Sequence, residues 1–197
     1  HNEEKTVRKT LESIVSQTIE DSITLEVIIV LNACTDQTET VVRRFIAEAK
    51  NVVHWSLFVS EKRGKTNALN LGLEHARGTL IGYMDADSIL EKNTLSELFN
   101  ALKENENLQV VGATTQPLFK EENLTSLVVK MEKIFQYRND HNGYALPIGR
   151  CIAFKKNTIS NFPPNLHSED TWISLISLKE YGFDTVKIIP ALVYYTP

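Results

Sequence analysis

Two aspartates one residue apart, Asp85 and Asp87, close the apolar run Leu80–Met84 in "LIGYMDADSIL". A short apolar run between turn residues reads as a buried strand, and residues i and i+2 leaving it can point one way. Two carboxylates facing one spot repel, and a divalent cation relieves the repulsion. Mg2+ and Mn2+ take oxygen ligands and share their shell between one or two carboxylates and substrate phosphates. The plain alternative is a solvated acidic turn. Upstream, Lys62, Arg63 and Lys65 surround Gly64 at a helix start, where free backbone N–H groups and cations suit an anion, unless the turn is merely a solvated basic one. Asn32, Thr35 and Asp36 follow another apolar run in "LNACTDQT". Glu169 and Asp170 in "HSEDTW" open a later helix, where acids also serve simply to complement the helix dipole.

The elements that must position these groups alternate along the chain. Val7, Leu11, Ile14 and Val15 sit at helical spacing, and "EVIIVL" from Glu26 is a β-branched run. A helix follows with Val41, Val42, Phe45 and Ile46 on one face, then the strand "NVVHWSLFV". The helix "KTNALNLGLEHARG" turns Leu69, Leu73 and Ala76 inward, with Gly78 placed as its C′ residue. After the strand "TLIGYM", the helix from Thr94 carries Thr94 and Glu97 at capping-box spacing and leads to the strand "LQVVGATT". The remainder is less regular: a helix over 124–138, a polar loop over 138–150, the strand "CIAFKK", the helix "TWISLISLKEYG", and strand-like pieces "TVKIIP" and "ALVYYTP". Alternating helices and strands predict a mostly parallel sheet covered on both faces. In such sheets ligands bind outside the carboxyl ends of the strands, where the acids fall.

Bulk composition narrows the classes. The chain has 197 residues, 42% hydrophobic and 23% charged, which fits one domain with a real core. A net charge of -4 gives no general attraction to nucleic acid, so no nucleic-acid partner is expected. No apolar run reaches the roughly 18 residues of a membrane span, and the polar opening "HNEEKTVRKT" does not read as a signal peptide. Cys34 and Cys151 make no disulfide framework and fit reduced thiols, so a cytoplasmic setting is expected. "NLT" at Asn123–Thr125 matches a glycosylation acceptor by chance in that setting.

The motifs in order resemble glycosyltransferase family 2, nucleotide-sugar enzymes of the GT-A fold. That family shows "P-x-x-N-E-E", then "D-D-G-S-T-D-x-T", a "K-G-K-x-x-A-L-N-x-G-L-x-x-A-x-G" helix, "D-A-D", and an "E-D" pair downstream. Here they correspond to "HNEE", "LNACTDQT", "RGKTNALNLGLEHARG", "YMDADS" and "SED", across essentially the whole chain. The resemblance implies an inverting, metal-dependent transferase, with residues 1–115 as the nucleotide-sugar half and 116–197 as the acceptor half of a single catalytic domain. Asp87 is the implied main metal ligand for Mg2+ or Mn2+. Asp85 assists it nearer the donor ribose and base. Glu3, Glu4, Asn32 and Lys65 are implied on the donor side, and Asp170 as the general base. Glu169, Arg150 and Trp172 fall on the acceptor side. Arg150 reads at least as well as a surface residue, and Trp172 more readily as core beside Leu175 and Ile176.

The implied partners are a nucleotide-sugar donor, with a UDP-sugar favoured and the base left open, and a glycan or lipid-linked acceptor, as in polysaccharide and cell-envelope synthesis. Membrane association at the inner face would come through parts outside this chain. Two departures stand out. "LNAC" replaces "DDGS", which puts Asn32 where the family has an acid. The family's usual first strand, expected before "HNEE", is missing, so the chain reads as a piece of a longer domain. Two other readings remain: a non-catalytic nucleotide- or sugar-binding module of the same fold, and a haloacid-dehalogenase-like phosphatase. The latter places D-x-D on its first strand with Thr or Val two residues after the second Asp, where Ile89 stands here.

Overall fold

The structure, a computed structural model, describes residues 1–49, 53–117 and 150–195. The helix expected over 124–138, the loop over 138–150 up to Arg150, the sequence Asn123–Thr125 and the first residues of the "NVVHWSLFV" run lie outside them. The chain runs α1 (Val7–Val15), β1 (Glu26–Asn32), α2 (Thr38–Glu48), β2 (His54–Ser60), α3 (Lys65–His75), β3 (Leu80–Met84), β4 (Ser88–Leu90), α4 (Thr94–Glu104), β5 (Val110–Pro117), β6 (Cys151–Lys155), α5 (Glu169–Tyr181) and β7 (Val186–Tyr195).

The strands form two sheets: a parallel pair β1-β2, and a five-stranded sheet in the order β3-β6-β5-β7-β4. The larger sheet is mixed. β3, β5 and β7 run one way, while β6 and β4 run against them. The α/β alternation through α4 predicted the parallel part. β6 follows a stretch whose sequence lacks that alternation, and it runs antiparallel between β3 and β5. Among the described residues β1 is bonded only to β2, and β3 only to β6. Those open edges explain why the apolar residues Val27–Val30 are half-buried rather than fully covered.

Strand periodicity builds two cores. Val111, Cys151 and Ala153 pack with Leu11 and Ile14 of α1, Val42 and Phe45 of α2, and Leu98 and Leu102 of α4. The alternate residues Val110, Ile152 and Phe154 pack with Leu73 of α3, Phe162 and Ile173 of α5. Ile81 and Tyr83 join the second cluster, so the face of β3 that continues toward Asp85 looks at α5.

The connection from β3 to β4 is only Asp85–Asp87, yet those strands end opposite sides of the sheet. In a flat sheet they would lie about 19 Å apart. The four Cα steps from Met84 to Ser88 span at most about 14 Å. The sheet therefore coils, and the acidic loop closes across its mouth. The loop is tied on all sides. The Asp85 N–H donates to the Arg150 carbonyl at 3.1 Å, the Thr10 hydroxyl donates to the Ala86 carbonyl at 2.8 Å, and the Ser88 N–H donates to the Asp85 carbonyl at 3.2 Å.

Some local expectations change. Gly78 is not the C′ residue of α3: the helix ends at His75, and Ala76 is already extended. The Arg77 N–H and guanidinium both donate to Glu26, which draws the chain out early. Thr94 does not cap α4; Asn93 takes that position, and the Thr94 hydroxyl donates to the Leu192 carbonyl instead. The two final strand pieces are one strand, β7. Its register against β5 slips between Ala113 and Thr114, which bulges out Pro190 and Ala191. Leu175 is exposed, because α5 turns Glu169, Ile173, Ser174 and Ser177 inward.

Phe154 is 1% exposed at the centre of the second core. Phe154→Ala should lower unfolding free energy by about 3–5 kcal/mol, read as a lower urea midpoint.

Candidate functional site

The sheet geometry gathers one group of side chains at the carboxyl ends of the strands. Gly64, at φ 124°, turns the chain from β2 into α3 and presents Lys65 as the first helical residue. The Lys65 ammonium pairs with Asp85 Oδ1 at 2.7 Å and with Glu169 Oε1. Glu169 is 5% exposed on the first turn of α5, so Lys65 bridges the β3 loop and that helix. On the other side of the loop, Arg150 Nη1 pairs with Asp87 Oδ2 at 3.2 Å. Its guanidinium lies over the Tyr195 ring, 3.7 Å from the centroid.

Charge and burial compete here. Burial pushes the Asp85 carboxyl up from its ordinary range, and Asp87 adds to the push; the attraction of Lys65 only partly offsets them. Burial also works against the Lys65 charge, but Asp85 and Glu169 outweigh it and raise the ammonium. Burial, followed by Glu169, Asp170 and Asp85, holds the Tyr83 phenol well above its usual value. Its buried hydroxyl has no hydrogen-bond partner. Burial likewise pushes the Cys151 thiol up to about 12, which leaves it an unreactive core residue.

Asp87 Oδ1 is buried and has no hydrogen-bond partner, which is costly unless a ligand takes it. An unpartnered carboxylate oxygen beside a second carboxylate suits a hard divalent cation. Among the described residues no three of His, Cys, Asp and Glu are grouped for a metal, so Asp85 and Asp87 would leave most of the shell to water and phosphate oxygens.

Asp170 lies next to Glu169 on α5. Its Oδ1 accepts from the Ser168 hydroxyl at 2.6 Å and from the Thr171 N–H at 2.7 Å, which holds the carboxylate at the helix start. Trp172 packs on Phe162 with ring centroids 5.7 Å apart, so it belongs to the second core rather than to a sugar-stacking surface.

The remaining donor-side candidates form a separate lattice at the end of β1. Glu3 accepts from the Thr6 hydroxyl at 2.6 Å, and its N–H donates to the Thr38 hydroxyl at 2.8 Å. Glu4 accepts from the Gln37 N–H at 2.9 Å, and its own N–H donates to Asp36 at 3.2 Å. The Glu3 N–H and the Glu4 carboxylate and N–H tie the first residues to the β1–α2 loop and the start of α2. Asn32 differs, because its Oδ1 is buried and without a partner. Sequence reasoning placed Arg150 on the acceptor side, but the structure puts it on Asp87. It missed Tyr83, although i−2 spacing on one strand already placed that phenol on the Asp85 face.

The model of glycosyl transferase family 2 matches residues 1–161. The chain belongs to that family. It is 28% identical over 183 residues to a poly-beta-1,6-N-acetyl-D-glucosamine synthase of Staphylococcus epidermidis, covering 93% of this chain and 40% of that protein. It is 30% identical over 114 residues to glycosyltransferase AglD of Haloferax volcanii, covering 58% of this chain and 18% of that protein. The chain thus spans less than half the length of these curated relatives. Among solved structures it superposes on the mannosyltransferase PcManGT of Pyrobaculum calidifontis, in complex with GDP-Man and Mn2+. The TM-score is 0.78 at 25% identity, over 98% of this chain and 54% of that one. S. aureus TarS in complex with UDP shares the fold, with a TM-score of 0.71 at 21% identity over 100% of this chain and 58% of that one. The expected α/β GT-A-like class holds, and family membership sets the phosphatase alternative aside. Among the described residues no helix is long and apolar enough to cross a membrane.

Lys65→Met would leave Asp85 facing the buried Glu169. Removing one partner of a buried pair costs about 3–5 kcal/mol. With Lys65 45% exposed, about 1–3 kcal/mol is expected. Asp85, already pushed up by burial, would lose the partial offset from Lys65 and titrate higher still in the folded protein, so the deficit should be full at pH 8 and shrink toward pH 5. Urea midpoints of both proteins at the two pH values check the sign.

Proposed function

We propose that this chain is the donor-binding and catalytic unit of an inverting glycosyltransferase. It moves a sugar from a nucleoside-diphosphate sugar to a hydroxyl of a glycan or lipid-linked acceptor. The observation that carries this reading is the convergence of Asp85, Asp87 and the first turn of α5 at one sheet end, with Asp87 Oδ1 buried and unpartnered. Relatives and neighbours named for sugar transfer support it, including one solved with GDP-Man and Mn2+.

Asp87 and Asp85 would hold Mg2+ or Mn2+. When bound, such an ion neutralises negative charge developing on the leaving diphosphate. The chain's own residues do the rest. Lys65 offsets part of the cost of burying Asp85 and ties it to α5. The unpartnered Asn32 Oδ1 can accept from an N–H of the nucleotide base at the end of β1. That acceptor suits any base offering such a donor, which leaves a UDP-sugar and a GDP-sugar both in play. Asp170 takes the proton of the acceptor hydroxyl as that oxygen attacks the anomeric carbon; the bond to the diphosphate breaks on the opposite side and the centre inverts. Ser168 and the Thr171 N–H fix the orientation of the carboxylate.

The test uses Asp170→Asn with GDP-Man, UDP-Glc and UDP-GlcNAc as donors, each with Mn2+. The protein should release nucleoside diphosphate from one of them. In the variant release should fall by about 10²–10⁴-fold while the nucleotide still raises the melting temperature. A protein that binds a nucleotide but turns over none of the donors, before or after the substitution, is the binding module instead.

A further inference from the structure

We propose that Arg150 is a counter-ion lock on Asp87: it occupies the carboxylate in the free protein and yields it to a divalent cation only when a nucleoside diphosphate binds with the metal. The proposal rests on reading Asp85 and Asp87 as the metal pair.

The backbone sets the position of Arg150. It directly precedes β6, and its carbonyl accepts from the Asp85 N–H at 3.1 Å, one step beyond the last β3–β6 pair, Met84 with Cys151. The side chain then crosses to Asp87. Tyr195 lies opposite Ser88 at the end of β7, and its ring supports the guanidinium at 3.7 Å. A planar cation stacked on a ring and bonded to a carboxylate is held in one orientation. Arg150 also lies close enough to Asp85 to favour its anion. One cation thus serves both members of the pair.

Only Asp87 Oδ2 takes the guanidinium; Oδ1 is buried and unpartnered. A divalent cation arriving alone at Oδ1 meets a fixed positive charge bonded to the same carboxylate. Arginine stays protonated at any working pH, so titration cannot lift that repulsion. A diphosphate can. Its negative charge compensates both cations, and its paired oxygens match the guanidinium fork. Metal and diphosphate should therefore bind with strong positive coupling, and by linkage each should raise the affinity of the other by the same factor. A site of this kind would stay largely free of metal until donor arrives.

The experiment is a Mn2+ titration followed by electron paramagnetic resonance of the free ion, with MnCl2 alone and with saturating UDP or GDP. It compares the unaltered protein, Arg150→Gln, Arg150→Lys and Asp87→Ala. In the unaltered protein the diphosphate should tighten Mn2+ about tenfold or more. In Arg150→Gln, Mn2+ alone should bind about tenfold tighter and the gain from diphosphate should shrink by a similar factor. Arg150→Lys keeps the charge and should keep most of the coupling. Unchanged or weaker Mn2+ binding in Arg150→Gln would overturn the lock and leave Arg150 as a residue that merely orients Asp87. A native coupling factor near one would overturn it without any variant. Asp87→Ala separates the two claims: if Mn2+ still binds with diphosphate there, the metal pair itself is misassigned.

Discussion

Like charge at close range is the constraint on which this site depends. Asp85, Asp87 and Glu169 meet at the mouth of a coiled sheet, and Lys65 and Arg150 hold them there. Burial disfavours the Asp85 anion, and Lys65 offsets part of that push. Each acid has a cation as partner, and each of those cations reaches a second element. Lys65 links the β3 loop to α5, and Arg150 links it to β6 and β7. Charge neutralisation and architecture are therefore the same set of contacts.

The sheet makes this meeting possible. A three-residue connection between strands at opposite ends of the order forces the sheet to coil, which swings the end of β7 toward the start of β6. Period-two alternation sends Tyr83 and Asp85 toward α5, while Thr10 of α1 holds the Ala86 carbonyl, next along the chain, from the other core. The starts of α3 and α5 face the same edge: α3 supplies Lys65, and α5 supplies Glu169 and Asp170. The placement of these charged groups follows from strand direction and helix polarity.

Much of this was legible in the residue order. α1, α2 and α4 and strands β1 to β3 appear where apolar spacing puts them, because each buries a single face or a short continuous run. The acidic pair was legible for the same reason, since polar residues that end an apolar run can only lie at a strand terminus. Pair identities were not. Nothing in "RGKTN" says that Lys65 will serve two carboxylates from distant segments, and nothing in "IGRCIAF" says that Arg150 will turn to Asp87 rather than to an acceptor. Both contacts arise from strand order, which has no local signature. The same holds for Gly78 and Thr94: their local motifs are sound, but Arg77–Glu26 and Thr94–Leu192 contacts from the tertiary fold took precedence. β4 is too short for periodicity to declare it, and Pro190 splits β7 into the two pieces that its sequence shows.

The most direct measurement is a crystal structure of the protein with Mn2+ and UDP or GDP, with the metal located by its anomalous signal. A Mn2+ peak about 2 Å from Asp87 Oδ1, bridging to the diphosphate, is the predicted result. Bound nucleotide with no metal beside Asp87, and Arg150 still on Oδ2, would contradict the assignment of Asp85 and Asp87 as the cation site.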